Sequence, residues 1–169
     1  MPRREFNDDH TPAGYLITFR TYGTWMHGDG RGSVDRVHRR YSSPLLPVSP
    51  RREQIENRLL KQPPVKLNSS QRQAIESGIR ETCKARKWQL WEVNVRSNHI
   101  HCVVTAQYKA RSVMTALKAN ATRAMRDVDC WRGDLSPWSR GGSKKYLWTE
   151  DELIRAITYV REHQGKPLD

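Results

Sequence analysis

The chain has 169 residues, with a formal net charge of +12 at pH 7 and a pI of about 10.1. We expect one domain over residues 1–169, with a loose N-terminus over 1–12. Hydrophobic residues make up 36% of the chain, and neither a membrane span nor a signal-peptide core is evident. Its three scattered cysteines exclude a disulfide framework and favour a cytoplasmic protein with reduced thiols. The basic surplus favours a polyanionic partner, most often nucleic acid.

The chain opens with a predicted strand and a long basic connection. Residues 14–25 are rich in aromatic and β-branched side chains, which is typical of a strand. Residues 27–66 carry glycines, prolines and many arginines, with a short helix possible near 52–60. A connection of this length is usually functional or disordered. It is either a solvated insertion or a phosphate-contacting arm, for which the candidate residues are Arg36, Arg39 and Arg40.

Two amphipathic helices are predicted in the middle of the chain. Apolar residues at every fourth position predict a helix over 70–87, with a capping box in Ser70–Gln73. A second apolar stripe predicts a helix over 112–127. Lys118 and Arg123 give the second helix a basic face, which is either solvated or a DNA contact.

A β-hairpin is predicted between these helices. Residues 88–95 read as a strand with Trp91, Val93 and Val95 on one face. A tight turn over 96–98 leads into the next strand, which is close enough in sequence to pair antiparallel with it.

That next strand carries two histidines. Asn98 begins the β-branched run that continues to Thr105. Because a strand has a side-chain period of two, His99 and His101 point to one face and Ile100 to the other. Two adjacent imidazoles suit a divalent metal, whereas the simpler alternative is a pair of half-buried histidines at a strand end.

The loop over 130–143 interleaves aromatic and basic residues. Trp138 and Arg140 suit stacking on unpaired nucleotides, or Trp138 belongs to a small hydrophobic cluster under the loop. A short strand follows over 145–148. The remaining candidate DNA contacts are Arg20, Lys144 and Lys145.

The final predicted helix begins at Thr149, which opens a capping box with an acidic first turn. It runs to about His163, and Gly165 and Pro167 follow. Tyr159 and His163 are four residues apart and therefore share one helix face.

The element order predicts an α+β fold of the ferredoxin-like (RRM-like) split βαβ type. It has a central antiparallel sheet, helices on one face, the basic insertion after the first strand and an added C-terminal helix. If that helix packs over the sheet, His163 could join His99 and His101 as a third metal ligand, which leaves open positions for catalysis. Tyr159 would then attack a polarised phosphate and form a covalent phosphotyrosine.

These residues resemble the HUH single-tyrosine transposases, particularly the REP-associated tyrosine transposases and IS200-like enzymes. The resemblance covers residues 13–165 in the same order, and its motifs are Tyr15–Arg20, Asn98–Val104, Tyr146–Trp148 and Tyr159–Gln164. It implies a bacterial, cytoplasmic endonuclease and strand transferase that acts on single-stranded DNA hairpins with Mg²⁺ or Mn²⁺.

By that resemblance Tyr159 is the nucleophile, and His99 and His101 bind the metal. The residue four after the tyrosine completes the site. The family often has Gln or Asn there, so either His163 or the adjacent Gln164 fills this role. Asn98 holds the turn or orients a histidine. The family includes monomers and homodimers, so the oligomeric state stays open.

Two other functions are compatible with the sequence. The chain could be a non-catalytic module, derived from a transposase, that binds structured DNA or RNA. It could also be a zinc hydrolase that activates water, in which case Glu152 or Glu162 would be the general base.

Overall fold

A computed structural model of the chain describes residues 11–24 and 48–163. The elements in these ranges are β1 (Gly14–Arg20), α1 (Pro50–Arg58), α2 (Ser69–Ala85), β2 (Gln89–Val95), β3 (His99–Thr105), α3 (Ala110–Asp127), β4 (Ser143–Leu147) and α4 (Glu150–Glu162). Arg36, Arg39, Arg40 and Gln164 lie outside the described residues. None of the helices described is long and apolar enough to cross a membrane.

The four strands form one antiparallel sheet in the order β2-β3-β1-β4. This order, with α2 and α3 as the two crossover connections, confirms the predicted split βαβ fold. β2 and β3 form the predicted hairpin, and β3 also pairs with β1 from His99 to Val104. β3 is therefore a central strand, which holds both histidines in a fixed register.

The two faces of the sheet are covered by different helices. On the helical face, Ile17, Phe19 and Ile100 are fully buried in one core cluster with residues of α2 and α3. On the opposite face, which we call the histidine face, Val103 packs in a second cluster with residues of α4. Since β3 alternates, His99 and His101 share the histidine face with Val103.

α4 packs across the histidine face of the sheet. Thr149 caps it by accepting a hydrogen bond from the Glu152 backbone N–H, as predicted. Leu153, Ala156 and Val160 form its buried stripe. A Cβ at Gly14 would lie 3.0 Å from the Leu153 side chain, so the absence of a side chain on β1 lets the helix come close.

The capping box of α2 begins two residues earlier than predicted. Asn68, and not Ser70, is the N-cap: its side chain accepts from the Gln71 N–H, and the Gln71 side chain accepts from the Asn68 N–H. An Asn accepts this bond as readily as a Ser, so the residue types alone did not fix the start of the helix.

Trp91 does not share a face with Val93, contrary to the prediction. The register between β2 and β3 shifts between Leu90 and Glu92, which is a β-bulge. The extra residue interrupts the alternation, and Trp91 Nε1 instead donates a 2.8 Å hydrogen bond to Thr105 Oγ1 on the histidine face.

Candidate active site

Four rings form a row between the sheet and the end of α4. The His99 and His101 rings lie 4.7 Å apart, between centroids, as expected for alternate residues of one strand. The Tyr159 ring lies 5.8 Å from His101, and the His163 ring stacks 6.2 Å from Tyr159. The row exists because α4 is long enough to reach from the end of β4 to the middle of β3. All four rings belong to one chain.

Oxygen atoms orient both histidines through the same ring nitrogen. Thr18 Oγ1 lies 2.7 Å from His101 Nδ1, and Asn98 Oδ1 lies 2.7 Å from His99 Nδ1. In the tautomers in which Nδ1–H donates to these oxygens, Nε2 of each ring carries the lone pair. An oxygen partner on one nitrogen and a metal on the other is the usual arrangement of metal-binding histidines.

The environment of His101 favours its neutral form. The residue is 8% exposed. Burial, followed by the neighbouring charges of His99 and Arg20, lowers the pKa of the imidazole from 6.5 to about 4. His101 is therefore uncharged at neutral pH, which is the state that can bind a metal ion.

Tyr159 is an accessible member of the row, whereas the neighbouring His101 is buried. Tyr159 is 43% exposed, although the neighbouring α4 residues Ala156 and Val160 are buried against the sheet. Asn94 of β2 donates a 3.2 Å hydrogen bond to the Val160 carbonyl, and Arg161 forms an ion pair with Glu92. These contacts hold the tyrosine over β3 while leaving one side of its ring open.

Three of the predicted DNA contacts lie near this row. Arg20 ends β1 directly opposite His99 and lowers the pKa of His101. Ser139 N–H donates to the Arg20 carbonyl, which brings the exposed Arg140 to the same end of the sheet. Lys145 pairs with Leu16, so it shares the histidine face.

The other described candidates lie on the far side of the sheet. Lys144 pairs with Ile17 and points to the helical face. Lys118 donates to the carbonyls of Ser139 and Gly141, and Arg123 lines a groove between α2 and α3.

Trp138 is part of the core, which is the second of its two predicted alternatives. It is 6% exposed and packs edge-on against Phe19 at a ring distance of 5.0 Å. Its Nε1 donates to the Lys118 carbonyl and to Thr122 Oγ1. The indole is therefore not presented to a partner.

A third metal ligand is not in place among the described residues. Over 11–24 and 48–163, no group of three or more His, Cys, Asp or Glu side chains is arranged to hold a metal. His163 caps the end of α4 and is exposed, with Tyr159 between it and His101.

Glu152 already has a structural partner. Its carboxylate accepts a 2.7 Å hydrogen bond from the Trp148 N–H at the start of α4. Seven residues of helix, about 10 Å, separate it from Tyr159 along the axis. This position disfavours Glu152 as the base of a water-activating hydrolase.

The sequence did not single out Thr18 or Asn94. Thr18 reads as an ordinary strand residue, and its contact with His101 depends on a pairing between strands 83 residues apart. Asn94 is an ordinary polar residue of a strand, and its hydrogen bond to the Val160 carbonyl of α4 has no sequence signal.

Comparison with known proteins identifies the family. The family model described as "Transposase IS200 like" matches residues 61–150, just over half of the chain. The match includes both histidines and ends before Tyr159. A search of curated proteins gave no match.

Two solved structures are similar. One is a REP-associated tyrosine transposase bound to a REP hairpin, with a TM-score of 0.50 and 13% identity over 95% of this chain and 69% of that chain. The other, a candidate transposase from Deinococcus radiodurans R1, has a TM-score of 0.45 and 12% identity over 96% and 98% of the two chains. The first has the same fold, and the family match adds the sequence relationship: the chain belongs to the IS200-like transposase family, whose proteins process DNA.

Proposed function

We propose that the chain is a single-strand DNA endonuclease and strand transferase that links itself to DNA through Tyr159. The observation that carries this proposal is the position of the Tyr159 ring, 5.8 Å from His101, which in turn lies 4.7 Å from His99. A solvent-accessible phenol beside two imidazoles is an arrangement suited to nucleophilic attack on a phosphodiester.

The histidine pair fits a divalent metal. Both imidazoles have an oxygen at Nδ1, and His101 is neutral at physiological pH. Nε2 of His99 and of His101 would hold Mg²⁺ or Mn²⁺. By the resemblance His163 or Gln164 would be the third ligand, although the His163 ring lies beyond Tyr159 and not beside the histidine pair. A metal bound there would polarise the non-bridging oxygens of the scissile phosphate.

The chain's own residues then carry out the covalent step. The Tyr159 phenol loses its proton to solvent, and its oxygen attacks phosphorus while the bond from phosphorus to the 3′ oxygen breaks. The products are a 5′-phosphotyrosine and a 3′ hydroxyl, whose proton comes from solvent. Arg20, beside His101, supplies positive charge close to the reacting phosphate.

Hairpin DNA is the proposed substrate. The similar REP-associated transposase was solved bound to a REP hairpin. In our chain, Arg20, Arg140 and Lys145 supply cations around the row of rings, to which single-stranded DNA beside a hairpin would bind.

The test is a gel assay with labelled single-stranded hairpin DNAs in Mg²⁺, Mn²⁺ or EDTA. We expect an SDS-resistant protein–DNA adduct with the unmodified chain and none with Tyr159→Phe. Tyr108→Phe is the matched control, since Tyr108 is also an exposed tyrosine, at 59%, but lies away from the row. It should form the adduct normally.

Two outcomes contradict the proposal. An adduct that persists in Tyr159→Phe would show that another residue is the nucleophile. Tight binding to many hairpins without any adduct would instead identify a non-catalytic binding module.

A further inference from the structure

An aromatic surface lies on the helical face of the sheet, away from the candidate active site. Tyr146 of β4 is 40% exposed, and its ring stacks on Trp148 with centroids 5.8 Å apart and planes 22° apart. Tyr146 pairs with Tyr15 of β1. Tyr15 is three residues, or about 10 Å along the strand, from Thr18, which contacts His101 on the histidine face. The surface and the row of rings are thus on opposite faces of the sheet.

Tyr15 connects this pair to a second exposed ring. The Tyr15 ring meets Tyr146 edge-on at 5.0 Å, and its hydroxyl donates a 2.8 Å hydrogen bond to the Tyr108 carbonyl. Tyr108 is 59% exposed, and its ring packs against the buried Trp88 ring, with centroids 6.0 Å apart. Tyr108 and Tyr146 are therefore held on a rigid aromatic base.

The charge around Tyr108 is positive. The Arg86 guanidinium lies 5.2 Å from the centre of the Trp88 ring, and the neighbouring Lys87, Lys109 and Arg111 are all exposed. The acidic residues Glu150 and Asp151 begin α4 close to Trp148, so the positive charge is concentrated at the Tyr108 end of the surface. Exposed aromatic rings flanked by cations are typical of surfaces that bind unpaired nucleic acid, in which bases stack and phosphates pair with the cations.

We propose that Tyr108 and Tyr146 form a second binding site for single-stranded DNA, in which successive bases stack on the two rings and the phosphates contact Lys109 and Arg111. The proposal rests on the proposed function only in the choice of DNA as the partner. The site would hold the single strand outside the reacting segment, independently of sequence, because every base has a face that can stack.

The test measures binding by fluorescence anisotropy with a labelled ten-nucleotide oligothymidine. It uses the Tyr159→Phe chain in EDTA, so that covalent linkage does not contribute. We expect Tyr108→Ala and Tyr146→Ala each to weaken binding about tenfold. Tyr108→Phe and Tyr146→Phe, which keep the rings, should bind as the parent does. Val128→Ala is the control for loss of an exposed apolar side chain elsewhere, at 63% exposure.

An abasic oligonucleotide of equal length separates stacking from charge. Tyr108→Ala and Tyr146→Ala should bind the abasic oligonucleotide with the same affinity as the parent, because it has no bases that could stack on the rings. Lys109→Gln and Arg111→Gln should each reduce the slope of log affinity against log salt concentration by about 0.7, the value for one phosphate contact to a single strand. The proposal is wrong if the alanine variants bind oligothymidine like the parent, or if they lose affinity equally for both oligonucleotides.

This outcome is separate from that of the adduct assay. If Tyr108→Ala and Tyr146→Ala bind oligothymidine like the parent while the Tyr159 adduct still forms, only the proposal of a second site is refuted. If the two alanine variants bind oligothymidine more weakly, as expected, but the unmodified chain forms no adduct, only the proposed covalent chemistry is refuted.

Discussion

Thr18→Val should weaken metal binding by removing a single hydroxyl from the histidine face. Thr18 Oγ1 lies 2.7 Å from His101 Nδ1, and His101 is 8% exposed. Valine has nearly the same shape, so the packing of β1 is preserved while Nδ1 loses its partner. An unpaired buried polar atom costs about 1–3 kcal/mol of unfolding free energy. Loss of an oxygen that orients a metal-binding histidine lowers metal affinity by about 10- to 100-fold.

Isothermal titration with Mn²⁺ measures the affinity, and urea denaturation measures the unfolding free energy. Thr18→Ser keeps the hydroxyl and should restore most of the Mn²⁺ affinity. Thr105→Val is the matched control, because Thr105 lies on the same face, four residues from His101, and accepts a hydrogen bond from Trp91. It should lower stability without changing Mn²⁺ affinity.

If Thr18→Val folds and binds Mn²⁺ as tightly as the unmodified chain, the assigned role of Thr18 is wrong. If Thr105→Val weakens Mn²⁺ binding just as much, the effect of Thr18→Val reflects general destabilisation and not the orientation of His101.

Three further predictions concern stability. Trp138→Phe should lower the unfolding free energy by about 1 kcal/mol, because the single indole N–H that is shared between the Lys118 carbonyl and Thr122 Oγ1 is lost, while oligothymidine affinity stays unchanged in anisotropy. Gly142→Ala should cost about 1–3 kcal/mol in urea denaturation, since φ is +149° and the new Cβ would lie 2.6 Å from the Thr18 carbonyl oxygen. In EDTA, stability should fall by about 1–2 kcal/mol between pH 7 and 5, because the pKa of His101 is about 4 when folded and the unfolded chain, near 6.5, binds more protons in that window. His101→Gln should remove this fall, and a fall of the same size in the variant would rule out His101 as its source.

Local patterns predicted the elements that assemble the site. The alternation in β3 placed His99 and His101 on one face, and the Thr149 cap fixed the start of the helix that carries Tyr159. Such features succeed because they depend on residues close together in the chain, where backbone geometry sets which side chains are neighbours.

Features that depend on distant pairings were not predictable in the same way. The contact between Thr18 and His101 requires the β1–β3 register, and the position of Trp91 requires a bulge that residue types do not mark. Trp138 illustrates a further limit, since an aromatic residue next to an arginine has the same local pattern in a core as on a binding surface. Burial alone separates these alternatives.

Basic residues were the least informative individually. The net charge of +12 predicted a polyanionic partner for the chain, but strand alternation sends Lys144 and Lys145 to opposite faces of the sheet. Which lysines share the histidine face follows from the pairing of β4 with β1, and no local pattern fixes that pairing in advance.

The most direct test of the central claim is to locate the covalent bond itself. The chain is incubated with a hairpin DNA and divalent metal, digested with nuclease and protease, and analysed by tandem mass spectrometry. The account predicts a nucleotide remnant linked through a 5′ phosphate to the Tyr159 side chain. A remnant on any other residue, or a 5′ phosphate released freely by water with no protein adduct, would contradict it.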